Sequence, residues 1–101
     1  MSSNSQDVKA AVPDTLDGAR VLFTARAAPG QFGQVQSTGE PVQIMYFVIA
    51  TYSEHEPGVY LFGVSPAHEV VCDYDCESAD DAMHTARASG FTEYEFHRRV
   101  D

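Results

Sequence analysis

Residues 59–90, VYLFGVSPAHEVVCDYDCESADDAMHTARASG, hold two strand patterns and one helix pattern in immediate succession, and their order decides what kind of fold the chain can adopt. Residues 59–64 and 69–76 are rich in β-branched and aromatic side chains. They are separated by Ser65-Pro66-Ala67-His68, where Pro66 presets the backbone angle needed at the second position of a type I turn. The spacing predicts a hairpin. With Val64 facing Glu69, Leu61 would pair with Cys72 and Val59 with Tyr74 on one face, leaving Tyr60, Phe62, Val71 and Asp73 on the other; a slip of one residue would exchange the faces.

The helix follows directly. Ser78 is a good N-cap, Asp81 stands three residues later as in a capping box, and Asp80 and Asp81 suit the positive end of the helix dipole. Ala79, Ala82, Met83 and Ala86 recur at i, i+3, i+4 and i+7, a single apolar stripe made mostly of small residues, so the helix can lie close to a sheet. Gly90 is placed to close it in the left-handed conformation with Phe91 folding back.

Working outward, residues 43–53 (QIMYFVIATYS) are apolar on both faces, the mark of a central strand, and residues 19–27 (ARVLFTARA) read as an earlier strand. Between them lies PGQFGQVQSTGEP, whose glycines and prolines predict turns and mobility rather than a packed element. Residues 92–98 alternate again, Tyr94 and Phe96 against Glu93, Glu95 and His97, as a last strand. Residues 1–18 are polar, small and non-periodic, which predicts a disordered or loosely attached tail before a single α+β domain over residues 19–101. The expected fold is a two-layer α+β sandwich: a mostly antiparallel sheet of four to five strands with one helix, in the order β-β-β-β-α-β. One helix of roughly 11 residues spans about 16 Å, too little to cover both faces of the sheet. Tyr46, Tyr52, Tyr60 and Phe62 are available on the face left over.

Charge supplies the functional clue. The chain has 101 residues and a formal net charge of −9. All of that excess lies between residues 40 and 81, where nine carboxylates meet no Lys or Arg, while three acids balance three bases in each flank. A surface of this sign repels nucleic acid and anionic membranes, whose binding depends on protein cations, and attracts cationic partners. No stretch approaches the roughly 20 apolar residues of a membrane helix and the N-terminus lacks signal-peptide character, so the cytoplasm is the expected location. Two cysteines do not make a disulfide framework.

Four groups of residues could carry chemistry. Glu69, Asp73, Asp75 and Glu77 alternate along the second hairpin strand, so they could form one row of carboxylates with Tyr60 as an aromatic anchor, facing a basic protein partner. The same row would equally serve as a solvated strand face. Cys72 and Cys76 share a face but stand about 13 Å apart on an extended strand, too far for a disulfide or for one zinc ion, which favours small buried hydrophobes. Glu54-His55-Glu56 sits in a turn where neighbouring side chains diverge, and His68, His84 and His97 occupy turn or border positions. None of these supports a catalytic residue, a metal or a cofactor.

Residues 58–88 also resemble a group of small uncharacterised bacterial α+β proteins, through Gly58, Tyr60, Leu61, Phe62, Asp73, Ser78, Ala82 and Ala86; Cys76 departs from it, since that group often has an aromatic residue nearby. The resemblance implies a fold and no activity. Immunity proteins that neutralise toxins and phage inhibitors of host defence are similar in size and charge. The resulting expectation is a non-enzymatic protein that blocks or sequesters a more basic partner. The alternative is a self-associating domain, a homodimer through the uncovered sheet face, and last comes a metal-binding or catalytic protein.

Overall fold

The computed structural model describes residues 12–52, 58–92 and 95–99. Among these residues eight strands and one helix follow in the order β1 (Thr15–Leu16), β2 (Ala19–Arg26), β3 (Phe32–Gln34), β4 (Pro41–Gln43), β5 (Tyr46–Thr51), β6 (Val59–Val64), β7 (Val70–Cys76), α1 (Ala79–Ala88) and β8 (His97–Arg98). The main sheet runs β1-β2-β5-β6-β7, with β8 also paired to β2, and all its pairings are antiparallel. The antiparallel sheet and the helix match the expectation, but seven strands, not four, precede the helix. The sheet curls and is richer in strand than a two-layer sandwich.

The central strand is β5, five of whose six residues are buried. Its alternation separates two cores. Toward the helix lie Phe47 and Ile49 with Leu61, Val71, Ala82 and Ala86. On the opposite face Tyr46, Val48 and Ala50 meet Val21, Phe62 and Val64, together with Leu16 of β1 and Val12 ahead of it. That second face is therefore not left uncovered as expected. Phe62 and Tyr46 are inside, because curling of the sheet and the returning segment at residues 12–16 close over them. At residues 17–18 the cause is local: Asp17 and Gly18 both take positive φ, 52° and 83°, as in a type I′ two-residue hairpin, which turns β1 back onto β2. Residues 12–18 belong to the fold, and residues 1–11 lie outside the described ones.

The helix follows its sequence signals. Ser78 Oγ accepts the Asp81 N–H at 3.1 Å, and Asp81 Oδ2 reaches back to accept the Glu77 N–H at 3.0 Å. At the other end the Phe91 N–H donates to Ala86 O and the Gly90 N–H to Arg87 O, with Gly90 at φ +70°, a Schellman closure. Ala82 and Ala86 are fully buried against the sheet. Phe91 then stacks between Phe47 and Tyr74, with ring centroids 4.9 and 5.5 Å away.

A bulge and the loop closure change the expected register of the β6–β7 hairpin. In the β6–β7 hairpin Val64 pairs with Val70, Gly63 with Cys72, Leu61 with Tyr74 and Val59 with Cys76. The loop is a type I turn closed by His68 at φ +66°, and Ser65 N–H donates to Glu69 O, so Glu69 belongs to the loop closure and the strand begins at Val70. The extra residue, Val71, joins the helix-side core instead of the far face. The other faces are as expected: Leu61, Cys72 and Tyr74 on one, Tyr60, Phe62 and Asp73 on the other.

The connection expected to be mobile contains the β3–β4 hairpin, closed by Val35 N–H donating to Glu40 O at 2.9 Å. It lies on β7 through Gly33, where a Cβ would stand 2.6 Å from Val71 O, so only a bare backbone fits. The last strand is shorter than residues 92–98: Thr92 makes a single bridge to Ala27, and regular pairing covers His97–Arg98. Residues 93–94 are outside the described ones.

Candidate protein-docking face

The side of β6 and β7 away from the helix carries Asp73 opposite Phe62 and Asp75 opposite Tyr60. Because the two aspartates are two residues apart with no bulge between them, they share a face at about 7 Å spacing. Both are exposed, and among the described residues neither enters an ion pair or a side-chain hydrogen bond. Two carboxylates at that distance repel by about 0.6 kcal/mol in bulk water, and by more wherever the site is dried. Any cation brought between them relieves this.

Beside the carboxylates stands an aromatic cluster graded in exposure. Phe62 is buried at its base, Tyr60 is half-buried above it, and Tyr52, just past the end of β5, is 43% exposed. Tyr52 meets Tyr60 edge-on at 5.1 Å and Phe62 at 6.2 Å, while Tyr60 and Phe62 lie nearly parallel at 6.1 Å. Such contacts hold the tyrosines in one geometry before any partner arrives, reducing the entropy that binding must remove.

Of the residues expected to act together, Tyr60, Asp73 and Asp75 are brought onto one face, and Glu69 and Glu77 are not. Glu69, on the far side of the bulge, lines a separate cleft of about 290 Å³ with Asp17, Gln36, Ser37 and His68. Glu77 follows β7 at the helix entrance, where its N–H bonds to Asp81. Tyr52, one of the four aromatics expected on the face left over, stands one residue past the end of β5 and joins Tyr60 beside the carboxylates, whereas Tyr46 is buried.

The cysteines lie on the helix side. Both are free thiols, Cys76 buried and Cys72 partly so. Burial pushes both thiols up, in Cys76 reinforced by Asp81 and Asp75, and in Cys72 offset in part by the Gly63 backbone. Burial also raises the Tyr74 phenol. These are the shifts of inert core thiols, opposite in sign to those of a nucleophile. His68, His84 and His97 are exposed, and among the described residues no three His, Cys, Asp or Glu side chains gather as a metal-ligand group. Glu54, His55 and Glu56 lie outside the described residues. No described helix is long and apolar enough to cross a membrane.

No family model, no curated protein and no solved structure matches the chain.

Proposed function

We propose that the protein is a non-enzymatic binding protein, of inhibitor or immunity type, that blocks or sequesters a more basic protein partner in a reducing cytoplasm. The observation that carries this reading is the placement of Asp73 and Asp75, without counter-ions among the described residues, beside the ordered Tyr60–Tyr52 pair. Tyrosines in fixed geometry are favoured hot-spot residues, and neighbouring carboxylates steer a cationic surface toward them. The charge block between residues 40 and 81 extends the attraction beyond the contact itself. On an edge strand the same aspartates discourage strand-to-strand pairing of two copies, which would bring four carboxylates together, so the electrostatics favour a different, basic molecule over a homodimer.

Site-specific photo-crosslinking in the native cell tests it. A benzophenone amino acid at Tyr60 should trap a discrete basic protein, and Asp73→Asn with Asp75→Asn should abolish the adduct. The same probe at Tyr74, on the helix side, should trap nothing. Equal trapping from both positions, or trapping only of a second copy of the chain, would contradict the proposal.

A further inference from the structure

The main sheet ends differently on its two sides. Along β2 the outer side is taken up by β1 and β8, whereas β7, among the described residues, pairs with β6 alone. At its start β7 is blocked by the β3–β4 hairpin, whose Gly33 backbone abuts Val71 O. Beyond that contact Asp73, Tyr74 and Asp75 are exposed in succession, which in a strand leaves both faces and the edge between them open. Tyr74, on the helix side, stacks on Phe91 and is still 42% exposed.

The backbone of these three residues divides by direction. In an antiparallel pair one residue exchanges both of its bonds with its partner and the next turns both groups away. Cys76 O lies toward Gly58, at the entrance to β6, which puts Cys76 and Tyr74 on the bonded side. Asp73 and Asp75 therefore aim N–H and C=O outward, and no turn, loop or side-chain bond reaches those groups among the described residues. Such an edge is a template for one more strand. An incoming antiparallel strand would bond to Asp73 and Asp75 in pairs, with the opposing Cα atoms about 5.5 Å away and their side chains on the aspartate–tyrosine face. The residue between them would face Tyr74. Charge selects the occupant: like charges directly opposite are destabilising, so carboxylates two residues apart disfavour a second copy of β7 and suit a segment with cations at the same spacing.

We propose that the partner docks by adding an extended segment, antiparallel, to the free edge of β7, with Arg or Lys opposite Asp73 and Asp75 and an apolar residue between them against Tyr74. This inference rests on the reading of the aspartate–tyrosine face as a docking site for a basic protein, and adds to it main-chain recognition and a basic–apolar–basic signature in the partner.

The test titrates the ¹⁵N-labelled full chain with the peptide acetyl-Thr-Arg-Val-Arg-Thr-amide and with two derivatives, one N-methylated at both arginines and one N-methylated at the valine. The unmodified peptide should give saturable shifts of the Asp73 and Asp75 amides and slow their exchange with solvent. Methylation at the arginines removes the N–H groups that face β7 and should weaken binding about tenfold or more. Methylation at the valine, whose N–H points to solvent, should change it by less than about twofold. Asp73→Asn with Asp75→Asn, both exposed positions, should weaken binding of the unmodified peptide about tenfold. Equal binding of the three peptides, or no saturable binding of any, would overturn strand addition; crosslinking from Tyr60 then decides the wider reading by itself. Shifts of the same amides on concentrating the chain alone would assign the edge to a second copy and overturn the proposal as well.

Discussion

Replacing Gly63 by alanine examines how closely the β6–β7 hairpin must approach its neighbours to present the docking face. A Cβ at Gly63 would lie 2.5 Å from Cys72 Sγ and 2.8 Å from Ile44 Cδ1, against a comfortable separation of about 3.5–4.0 Å. The two contacts differ in how readily they yield. Ile44 meets the methyl with the far end of a flexible side chain, whereas Cys72 is the direct cross-strand partner of Gly63 and has one rotatable bond. Overpacking of this kind costs about 1–3 kcal/mol, while the stiffer unfolded chain returns about 0.4–1 kcal/mol. Gly63→Ala should therefore destabilise by about 1–2 kcal/mol, a fall in Tm on the order of 10 °C for a domain this size. Cys72→Ala removes the obstructing sulfur at a cost of about 1 kcal/mol. In that background Gly63→Ala should be nearly neutral, giving a coupling of about 1–2 kcal/mol. Urea unfolding followed by far-UV circular dichroism, with m-values compared, measures all four proteins. If Gly63→Ala costs the same with and without the Cys72 sulfur, or less than about 0.5 kcal/mol in wild type, the described packing is wrong.

Two further outcomes are expected. His68 is held at φ +66°, a conformation costing most L-residues about 1–2 kcal/mol, so His68→Gly should raise stability slightly and His68→Val should lower it by about 1 kcal/mol or more, both read from urea midpoints. The raised thiols of Cys72 and Cys76 make stability fall at alkaline pH. Above the ordinary thiol pKa near 8.5 the unfolded chain has released protons that the folded chain still holds, so stability present below that pH is lost as pH rises through the folded pKa. The slope is up to about 1.4 kcal/mol per pH unit per thiol. Unfolding measured between pH 8 and 9.5 should show this loss in wild type and not in a Cys72→Ala, Cys76→Ala double variant.

Signals confined to neighbouring residues were legible in the sequence. The Ser78 cap, the alanine stripe and Gly90 specify α1 with local hydrogen bonds, and the unbroken apolar run around Val48 marks the centre of the sheet because both of its faces are buried. Bulges are different: one inserted residue at Val71 or Leu22 is set by what packs across the sheet, and it leaves no mark in the alternation. That is why Glu69 was grouped with Asp73 and Asp75 but lies elsewhere. Asp17-Gly18 was readable as a hairpin turn, yet its polar surroundings resemble a tail. The β3–β4 hairpin depends on Gly33 meeting the Val71 carbonyl, a long-range contact.

The most direct measurement of the central claim takes the partner trapped at Tyr60 and follows its association rate with the pure chain at several salt concentrations. For wild type the rate should fall steeply as salt screens the carboxylates, and for the Asp73→Asn, Asp75→Asn variant it should be slower at low salt with a visibly flatter dependence. Identical salt dependence in the two proteins would mean that these aspartates only keep the edge strand soluble, and that recognition lies elsewhere.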